Sequence, residues 1–318
     1  ACAFGLWRVL LYREVNHRFA QIRAAGYPTS GAEINAWLTP IPDAENGALV
    51  LTQAFGLLRT FPDSRAKAVT QSGLLARTNQ WSPETVELVE NYLATNAPAL
   101  ARAREALQFS RFRFPVDYNF VPPDMPHLDK LKTLTRLAAL QASLEVTQGG
   151  VEAWPSQVEF QLQLAAALDR DPTFISHLVR NAMLRQAVQT TERNLNYSAP
   201  SREACGKLRQ VFAIVGYTNL LPFALATERA AFIPAFRLST EQMRSVGQAD
   251  QPGVQHKRQP YSGKPAPLLW FTGFMERDLN CYMVTMDRAI AQAALPPRER
   301  LALTNTFAAA DQGARSRY

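Results

Sequence analysis

Helical spacing along nearly the whole chain is the feature that most limits what this sequence can fold into. Between residues 126 and 196, apolar side chains recur at intervals of three and four in three consecutive segments joined by short turns. Alternation with a period of two, the pattern of a half-buried strand, is nearly absent outside residues 110–123. The spacing predicts an all-α fold, either an irregular helical bundle or an α-superhelix of stacked helical hairpins, with one extended aromatic segment at 110–123.

The three helical segments differ in how many of their faces are apolar. The buried stripe predicted near 126–148 consists of Leu128, Leu131, Leu134, Leu137, Ala138, Leu140, Ala142 and Leu144, and the helix should stop at Gly149 and Gly150. The segment near 156–169 has two apolar faces, which predicts a central helix: Val158, Leu162 and Ala165, then Phe160, Leu164 and Ala167. The segment near 173–196 is predicted to bury Ile175, Leu178 and Ala182, with Val179, Met183 and Ala187 beside them.

Capping signals predict where further helices begin. The starts are expected at Ser30 with Glu33, Ser82 with Pro83 and Glu84, Asp171 with Pro172, and Ser239 with Gln242. Apolar spacing adds helices near 44–58, 83–95, 98–109, 201–216, 220–246, 268–294 and 297–311.

The extended segment has two interpretations. Phe112, Phe114, Val116, Tyr118 and Phe120 occupy alternate positions, and Arg111, Arg113, Asp117 and Asn119 lie between them. An extended strap whose aromatic side covers a helical core explains the alternation and the neighbouring prolines. The alternative is a surface that stacks single-stranded bases beside arginines. We favour the strap, because an RNA-binding sheet needs several such strands.

Four consecutive parts are expected along the chain. Residues 1–26 form an amphipathic helix or the truncated end of a membrane anchor, and 27–246 form the main helical domain. Residues 247–267, rich in proline and glycine, form a flexible linker, and 268–318 form a C-terminal helical segment. Residues 1–11 are too few to span a bilayer, which requires about 20. Arginines after this stretch favour the cytoplasmic side.

Charge and motifs narrow the functional classes. The formal net charge is +7, but the arginines are spread along the chain and form no basic run. Binding of anionic lipid or nucleic acid through arginine-rich faces is therefore an alternative function, and we do not expect nucleic acid as the main partner. Cys2, Cys205 and Cys281 have no ligand or pairing spacing, and no phosphate loop, dinucleotide fingerprint or nucleophile elbow occurs. We therefore expect no cofactor and no metal.

Three residues are the weak catalytic candidates. Glu145, Glu159 and His177 lie on the central helices, where a carboxylic acid with a raised pKa could serve a helical hydrolase or lyase acting on an envelope substrate. Neutralisation of these glutamates by ion pairs between helices is the alternative. If the protein is an enzyme, the three should converge in one open pocket; in a scaffold they should be paired or dispersed.

A possible partner surface lies in the last apolar segment. Residues 268–294 either return to the main body or contact a partner, and the side chains expected there are Trp270, Phe271, Phe274 and Tyr282. The sequence does not specify the oligomeric state.

Residues 110–195 resemble a known group of proteins. "RFPVDY", then "MPHLDKLKTLTRLAALQASLEVTQGG" and "LAAALDRDPTFISHLVRNAMLRQA", are similar to uncharacterised bacterial envelope proteins with an N-terminal membrane anchor. The matching positions are Met125, Pro126, His127 and Leu128, then Pro172, Phe174, Ile175, Leu178, Val179 and Arg180. Members often continue into a pseudopilin-like C-terminal region, so the chain is expected to be a fragment at one or both ends.

The resemblance implies a place more than an activity. It implies a membrane-anchored, all-helical protein of the bacterial cell envelope whose partner is another envelope protein. Together with the absence of catalytic motifs, it leads us to expect a non-catalytic scaffold or protein-binding module.

Overall fold

The all-α prediction is confirmed by a computed structural model, which describes residues 2–60, 81–119, 123–214, 219–237, 272–296 and 298–300. Within these ranges the helices are α1 Cys2–Ala24, α2 Gly31–Trp37, α3 Gly47–Leu57, α4 Pro83–Ala106, α5 Pro126–Thr147, α6 Trp154–Ala166, α7 Phe174–Leu195, α8 Arg202–Ile214, α9 Leu221–Phe232 and α10 Phe274–Ala293. Short 3-10 helices lie at Asp43–Glu45 and Ile233–Arg237. No helix in these ranges is both long and apolar enough to cross a membrane.

The chain divides into two compact units that interleave in sequence. Unit 1 comprises Ala1–Thr39, Val116–Asp124 and Asn219–Tyr318, and unit 2 comprises Pro40–Pro115 and Met125–Thr218. This differs from the four consecutive parts expected from the sequence. The difference arises because 27–39 and 219–237 pack in unit 1, with α2 against α9. The expected linker, 247–267, lies outside the described residues.

Unit 2 is built from successive helical hairpins. α5, α6 and α7 contact one another pairwise, while α4 packs on α5, α3 on α4, and α8 on α6. The eight residues predicted as the α5 stripe are all buried, as are both predicted faces of α6. α5 ends in a Schellman arrangement: Gly149 has φ +81°, and the amide of Gly150 donates to the carbonyl of Glu145 at 2.7 Å. The two glycines stop this helix as predicted.

The predicted buried face of α7 is only partly right: Met183 and Ala187 are buried, but the three residues expected to lead that face are not. Ile175 and Leu178 are 43% and 46% exposed, and Ala182 is also exposed. The buried residues of α7 are Ser176, Arg180, Met183, Ala187, Thr190 and Asn194. Polar groups can face inward here because several of them find partners: Arg180 pairs with Asp169, and Thr190 donates to Gln161 at 3.2 Å.

Two helix boundaries also differ from the prediction. One helix, α4, replaces the two expected at 83–95 and 98–109, and Pro98 lies inside it. Its buried face continues on both sides of the proline, through Leu93, Ala99 and Leu100, so packing outweighs the lost backbone hydrogen bond. α7 begins after Thr173, whose side chain accepts from the amide of Ser176, and not at Asp171. The caps predicted at Ser30 and Ser82 are present, and Asn46 caps α3 by accepting from the amide of Ala48. Ser239 and Gln242 lie outside the described residues.

The extended segment packs as a strap. In unit 2, Phe114 is 6% exposed, and its ring stacks on His127 with centroids 4.2 Å apart. In unit 1, Tyr118 is 4% exposed and packs with Ile34 and Ala230. Helices cover these two rings, whereas Phe112 is half-buried. Phe120 lies outside the described residues.

Unit 1 is organised around α10. This helix packs on α1 and α9, and a cluster of Val15, Phe19, Ile22, Ile233, Leu279 and Met283 forms its core. The segment 268–294 thus returns to its own chain over its described part, 272–294. The predicted helix at 297–311 lies outside the described residues beyond 298–300.

Candidate functional site

A polar cluster inside unit 2 surrounds the first catalytic candidate, Glu145. Its Oε1 accepts hydrogen bonds from the amide of Gln157 at 2.8 Å and from that of Gln141 at 3.3 Å. Arg104 donates to the Oε1 atoms of the same two glutamines, at 2.7 Å and 3.2 Å. The Arg104 guanidinium also lies over the ring of Phe160, 4.2 Å from its centroid. Residues from three helices therefore form the cluster: α4, α5 and α6.

Burial dominates the electrostatics of this cluster. It raises the pKa of the Glu145 carboxyl, against the hydrogen bonds from Gln157 and Gln141 and the charge of Arg104, all of which lower it. Burial likewise lowers the pKa of Arg104. Glu145 Oε2 is buried without a hydrogen-bond partner among the described residues. The cluster can hold a protonated carboxyl group, the state a general acid requires.

The other two catalytic candidates lie elsewhere. Glu159 accepts a bond from Gln163 at 3.3 Å on the exposed side of α6. It follows Gln157 by two residues, a rotation of about 200° around the helix, so it faces away from Glu145. His177 is half-buried near the start of α7, where Asn181 contacts its Nε2 at 3.1 Å. Burial, aided by Arg180, lowers the pKa of His177.

Glu145 lies near the end of α5, whereas the start of α7, which carries His177, lies beside the start of α5. Near the start of α5, His127 contacts Asp171, and Thr173, the N-cap residue of α7, lies 3.5 Å from the sulfur of Met125. Glu145 is eighteen residues beyond His127, or about 27 Å along the helix. The three candidates are therefore dispersed within unit 2.

A buried histidine–aspartate pair was not predicted from the sequence. His127 Nε2 and Asp171 Oδ2 are 2.9 Å apart, and their side chains are 6% and 5% exposed. From the sequence, His127 was interpreted as a residue of the first turn of α5, and Asp171 as the cap of α7. Neither interpretation gave the residue a partner. No sequence spacing relates the two residues, because they are brought together by the packing of α5 and the loop before α7.

A cleft of about 250 Å³ opens in unit 2 beside the strap. The side chains that line it include Phe109, Phe112, Gln163, Asp169 and Arg170. Glu145, Glu159 and His177 do not line it. The cleft therefore does not bring the catalytic candidates together.

Among the described residues, no group of three or more histidine, cysteine or acidic side chains could hold a metal ion.

The predicted partner surface is divided between exposed and packed residues. Phe274 is 53% exposed at the start of α10. Tyr282 packs beside the unit 1 core, and its hydroxyl donates to the carbonyl of Glu228 at 3.4 Å. Burial raises the pKa of Tyr282. Trp270 and Phe271 lie outside the described residues.

Within the part of the chain that the structure describes, the largest group of exposed apolar side chains lies on α1. Phe4, Leu6, Trp7, Val9, Leu10 and Tyr12 are each 40–62% exposed, and we call these residues the α1 apolar end. Arg8, the charged residue within this stretch, donates a hydrogen bond to Glu276 at 2.9 Å. The buried residues of α1 form a single seam of Leu11, Val15, Phe19 and Ile22.

The arginines that follow the α1 apolar end are mostly paired. Arg18 lies 3.6 Å from Asp287, and Arg23 lies 2.7 Å from Glu33. Arg13 is exposed and has no ion pair with a described residue. The basic flank seen in the sequence is thus partly neutralised within unit 1.

Comparison with known proteins does not assign the chain to a family. No family model, curated protein or solved structure matches the chain. The resemblance to anchored envelope proteins therefore stays a prediction.

Proposed function

We propose that the protein is a non-catalytic scaffold or protein-binding module of the bacterial cell envelope, held at a membrane by the α1 apolar end. The observation that carries this proposal is the exposure of six large apolar side chains within the first three turns of one helix. Exposed apolar surface of this extent is typical of an interface with a membrane or a protein.

The distribution of these side chains favours lipid. At about 100° of rotation per residue, the six positions are spread around most of the circumference of α1. One partner helix could not cover them, whereas lipid or a deep socket surrounds a helix. Phe4, Trp7 and Tyr12 are aromatic, and such rings favour the boundary between headgroups and acyl chains. Because Arg8 is paired with Glu276, its charge opposes insertion less than a free arginine would.

The dispersal of the catalytic candidates supports a non-catalytic role. Gln157 and Gln141 donate hydrogen bonds to Glu145, and His177 lies on α7, away from them. Scaffold proteins of stacked helices bind through extended surfaces, and such surfaces do not need convergent titratable groups.

Vesicle flotation tests the membrane contact. The full chain should float with vesicles of phosphatidylethanolamine and phosphatidylglycerol. A Leu6→Gln/Leu10→Gln variant should bind at least about tenfold more weakly, since each buried leucine contributes about 1.5–3 kcal/mol. The matched control is Leu57→Gln/Phe232→Gln, which changes two other exposed apolar residues. Neutral vesicles separate apolar from electrostatic binding, and a chain that floats with neither composition overturns the membrane contact.

Site-specific photo-cross-linking tests the protein-binding role. A photoreactive side chain at Phe274, 53% exposed, should give a discrete cross-linked product in the envelope fraction. The same group at Tyr282, which packs within unit 1, is the matched control and should give none. If both positions stay uncross-linked, α10 does not contact a partner.

A further inference from the structure

The cleft beside the strap is lined by two kinds of side chain. Its apolar wall comes from the end of α4 and from the strap, through Leu107, Phe109 and Phe112. Its polar rim comes from the turn after α6, where Asp169 and Arg170 are neighbours in the sequence. All of these residues belong to unit 2. A negative and a positive side chain therefore lie together at the edge of an apolar cleft.

The apolar wall is held in place by the start of α3. The amide of Gly47 donates to the carbonyl of Arg111 at 3.0 Å. Asn46 accepts from the amide of Arg113 at 2.9 Å, so the backbone is fixed on both sides of Phe112. The ring of Phe112 packs on Gly47, where a Cβ atom would be 2.5 Å from its Cε1. A cleft whose wall is already ordered loses little conformational entropy when it binds a ligand.

The two charged residues of the rim can each make further hydrogen bonds. Asp169 accepts from Nε of Arg180, whose side chain is 7% exposed, through Oδ1. The Asp169 side chain is 46% exposed, and its Oδ2 has no partner among the described residues. Arg170 is exposed and forms no hydrogen bond or ion pair with a described residue. Asp169 can therefore accept from an ammonium group, and Arg170 can donate to a carboxylate.

We propose that this cleft binds a free α-amino acid with an apolar side chain. The ammonium group of the ligand donates to Asp169, its carboxylate accepts from Arg170, and its side chain packs on Phe109 and Phe112. The cleft volume of about 250 Å³ lies below the range of about 300–1,000 Å³ that is typical of pockets for drug-sized ligands, so it suits a smaller ligand.

The expected affinity is low. Both rim charges face water, where an ion pair contributes little, so the dissociation constant should be roughly 0.1–1 mM. The proposal is independent of the α1 apolar end and of a protein partner, because every lining residue lies in unit 2.

Saturation-transfer difference NMR with the full chain and L-phenylalanine tests this site. Two analogues each lack one charged group: hydrocinnamate has no ammonium group, and phenethylamine has no carboxylate. Each analogue should bind about two- to fivefold more weakly than L-phenylalanine, because it leaves one rim charge without a partner. Analogues that bind as tightly as L-phenylalanine overturn the recognition of an amino acid.

Reversal of one rim charge tests the role of Arg170. Arg170→Glu should weaken the binding of L-phenylalanine at least about threefold, and this variant should bind phenethylamine more tightly than hydrocinnamate, since both rim residues are then acidic. The matched control is Arg185→Glu, which makes the same charge change at an exposed residue of α7 that does not line the cleft. It should bind L-phenylalanine as the unchanged chain does.

A blocking variant tests the location of the site. Ala166 lines the cleft from the exposed side of the last turn of α6, so Ala166→Trp should fill the cleft and abolish binding. Circular dichroism confirms that each variant is folded. A chain that does not bind L-phenylalanine at about 10 mM, or a folded Ala166→Trp variant that binds it as the unchanged chain does, overturns the proposal.

Discussion

At the scale of single residues, the closest packing around a glycine of unit 2 is at Gly47, where a side chain would not fit. A Cβ atom added to Gly47 at the start of α3 would lie 2.5 Å from Cε1 of Phe112 and 2.8 Å from Cβ of Phe109. Ala substituted at Gly47 should therefore lower the free energy of unfolding by about 1–3 kcal/mol, measured by urea denaturation.

The matched control lies on the same helix. A Cβ at Gly56 meets no atom within 4 Å, so Gly56→Ala should raise the free energy of unfolding by about 0.5–1 kcal/mol. Equal effects of the two substitutions would contradict the close packing of α3 against Phe109 and Phe112.

Glu145 should make stability depend on pH. Because burial raises its folded-state pKa above 4.5, its contribution is fully present below about pH 4.5 and is lost as the pH rises through the folded-state pKa. Glu145→Gln has no proton to lose. The melting temperature of this variant should therefore improve relative to the unchanged chain as the pH rises from about 4 to 7.

The control for this pH dependence is Glu87→Gln, which changes an exposed carboxylate of α4. A constant difference between Glu145→Gln and the unchanged chain at every pH would show that the Glu145 carboxyl is not shifted by its surroundings.

At the scale of elements, the strap can be distinguished from a base-stacking surface by one substitution. Phe114→Ala removes a buried ring that stacks on His127 and lies 6.2 Å from the ring of Phe55. It should lower the free energy of unfolding by about 3–5 kcal/mol. Binding of a single-stranded oligonucleotide, followed by fluorescence anisotropy, should stay unchanged; a large loss of affinity with little loss of stability would favour the base-stacking surface.

The sequence predicted the buried face of a helix correctly only where the polar residues of that helix face outward. α5 and α6 were predicted with their buried faces because their apolar positions and stop signals agree. α7 was predicted as a helix, but only Met183 and Ala187 of its predicted side are buried, since Arg180 and Thr190 face inward toward Asp169 and Gln161. Partners from other helices decided that orientation, and no local pattern contains them.

The same limit applies to the candidate site. The sequence suggested that a helical core would raise the pKa of Glu145, and burial does raise that pKa. Arg104, Gln141 and Gln157 could not be chosen with it, because they converge from three helices. Local spacing identifies residues that share one helix face, whereas this cluster depends on how the helices pack.

At the scale of the whole molecule, the interleaved units predict which part folds alone. Residues 40–218 contain every described helix of unit 2, and only Val116–Asp124 within them belongs to unit 1. A fragment of residues 40–218 should therefore show a cooperative helical melt by circular dichroism. A fragment of residues 219–318 should not, because α9 and α10 lose their contacts with α2 and α1. A fragment 40–218 without a cooperative transition would contradict the division.

The interleaving also sets an order of events on the ribosome. α1 and α2 are synthesised first, but α9, which packs on α2, begins at Leu221, more than 180 residues after Trp37. At roughly 5–20 residues per second, the nascent chain waits roughly 10–35 s between them. Unit 2 can fold during that interval, whereas unit 1 can close only after α10 has left the exit tunnel. Until then the apolar seam of α1 has no native partner and is the part of the nascent chain that chaperones would have to cover.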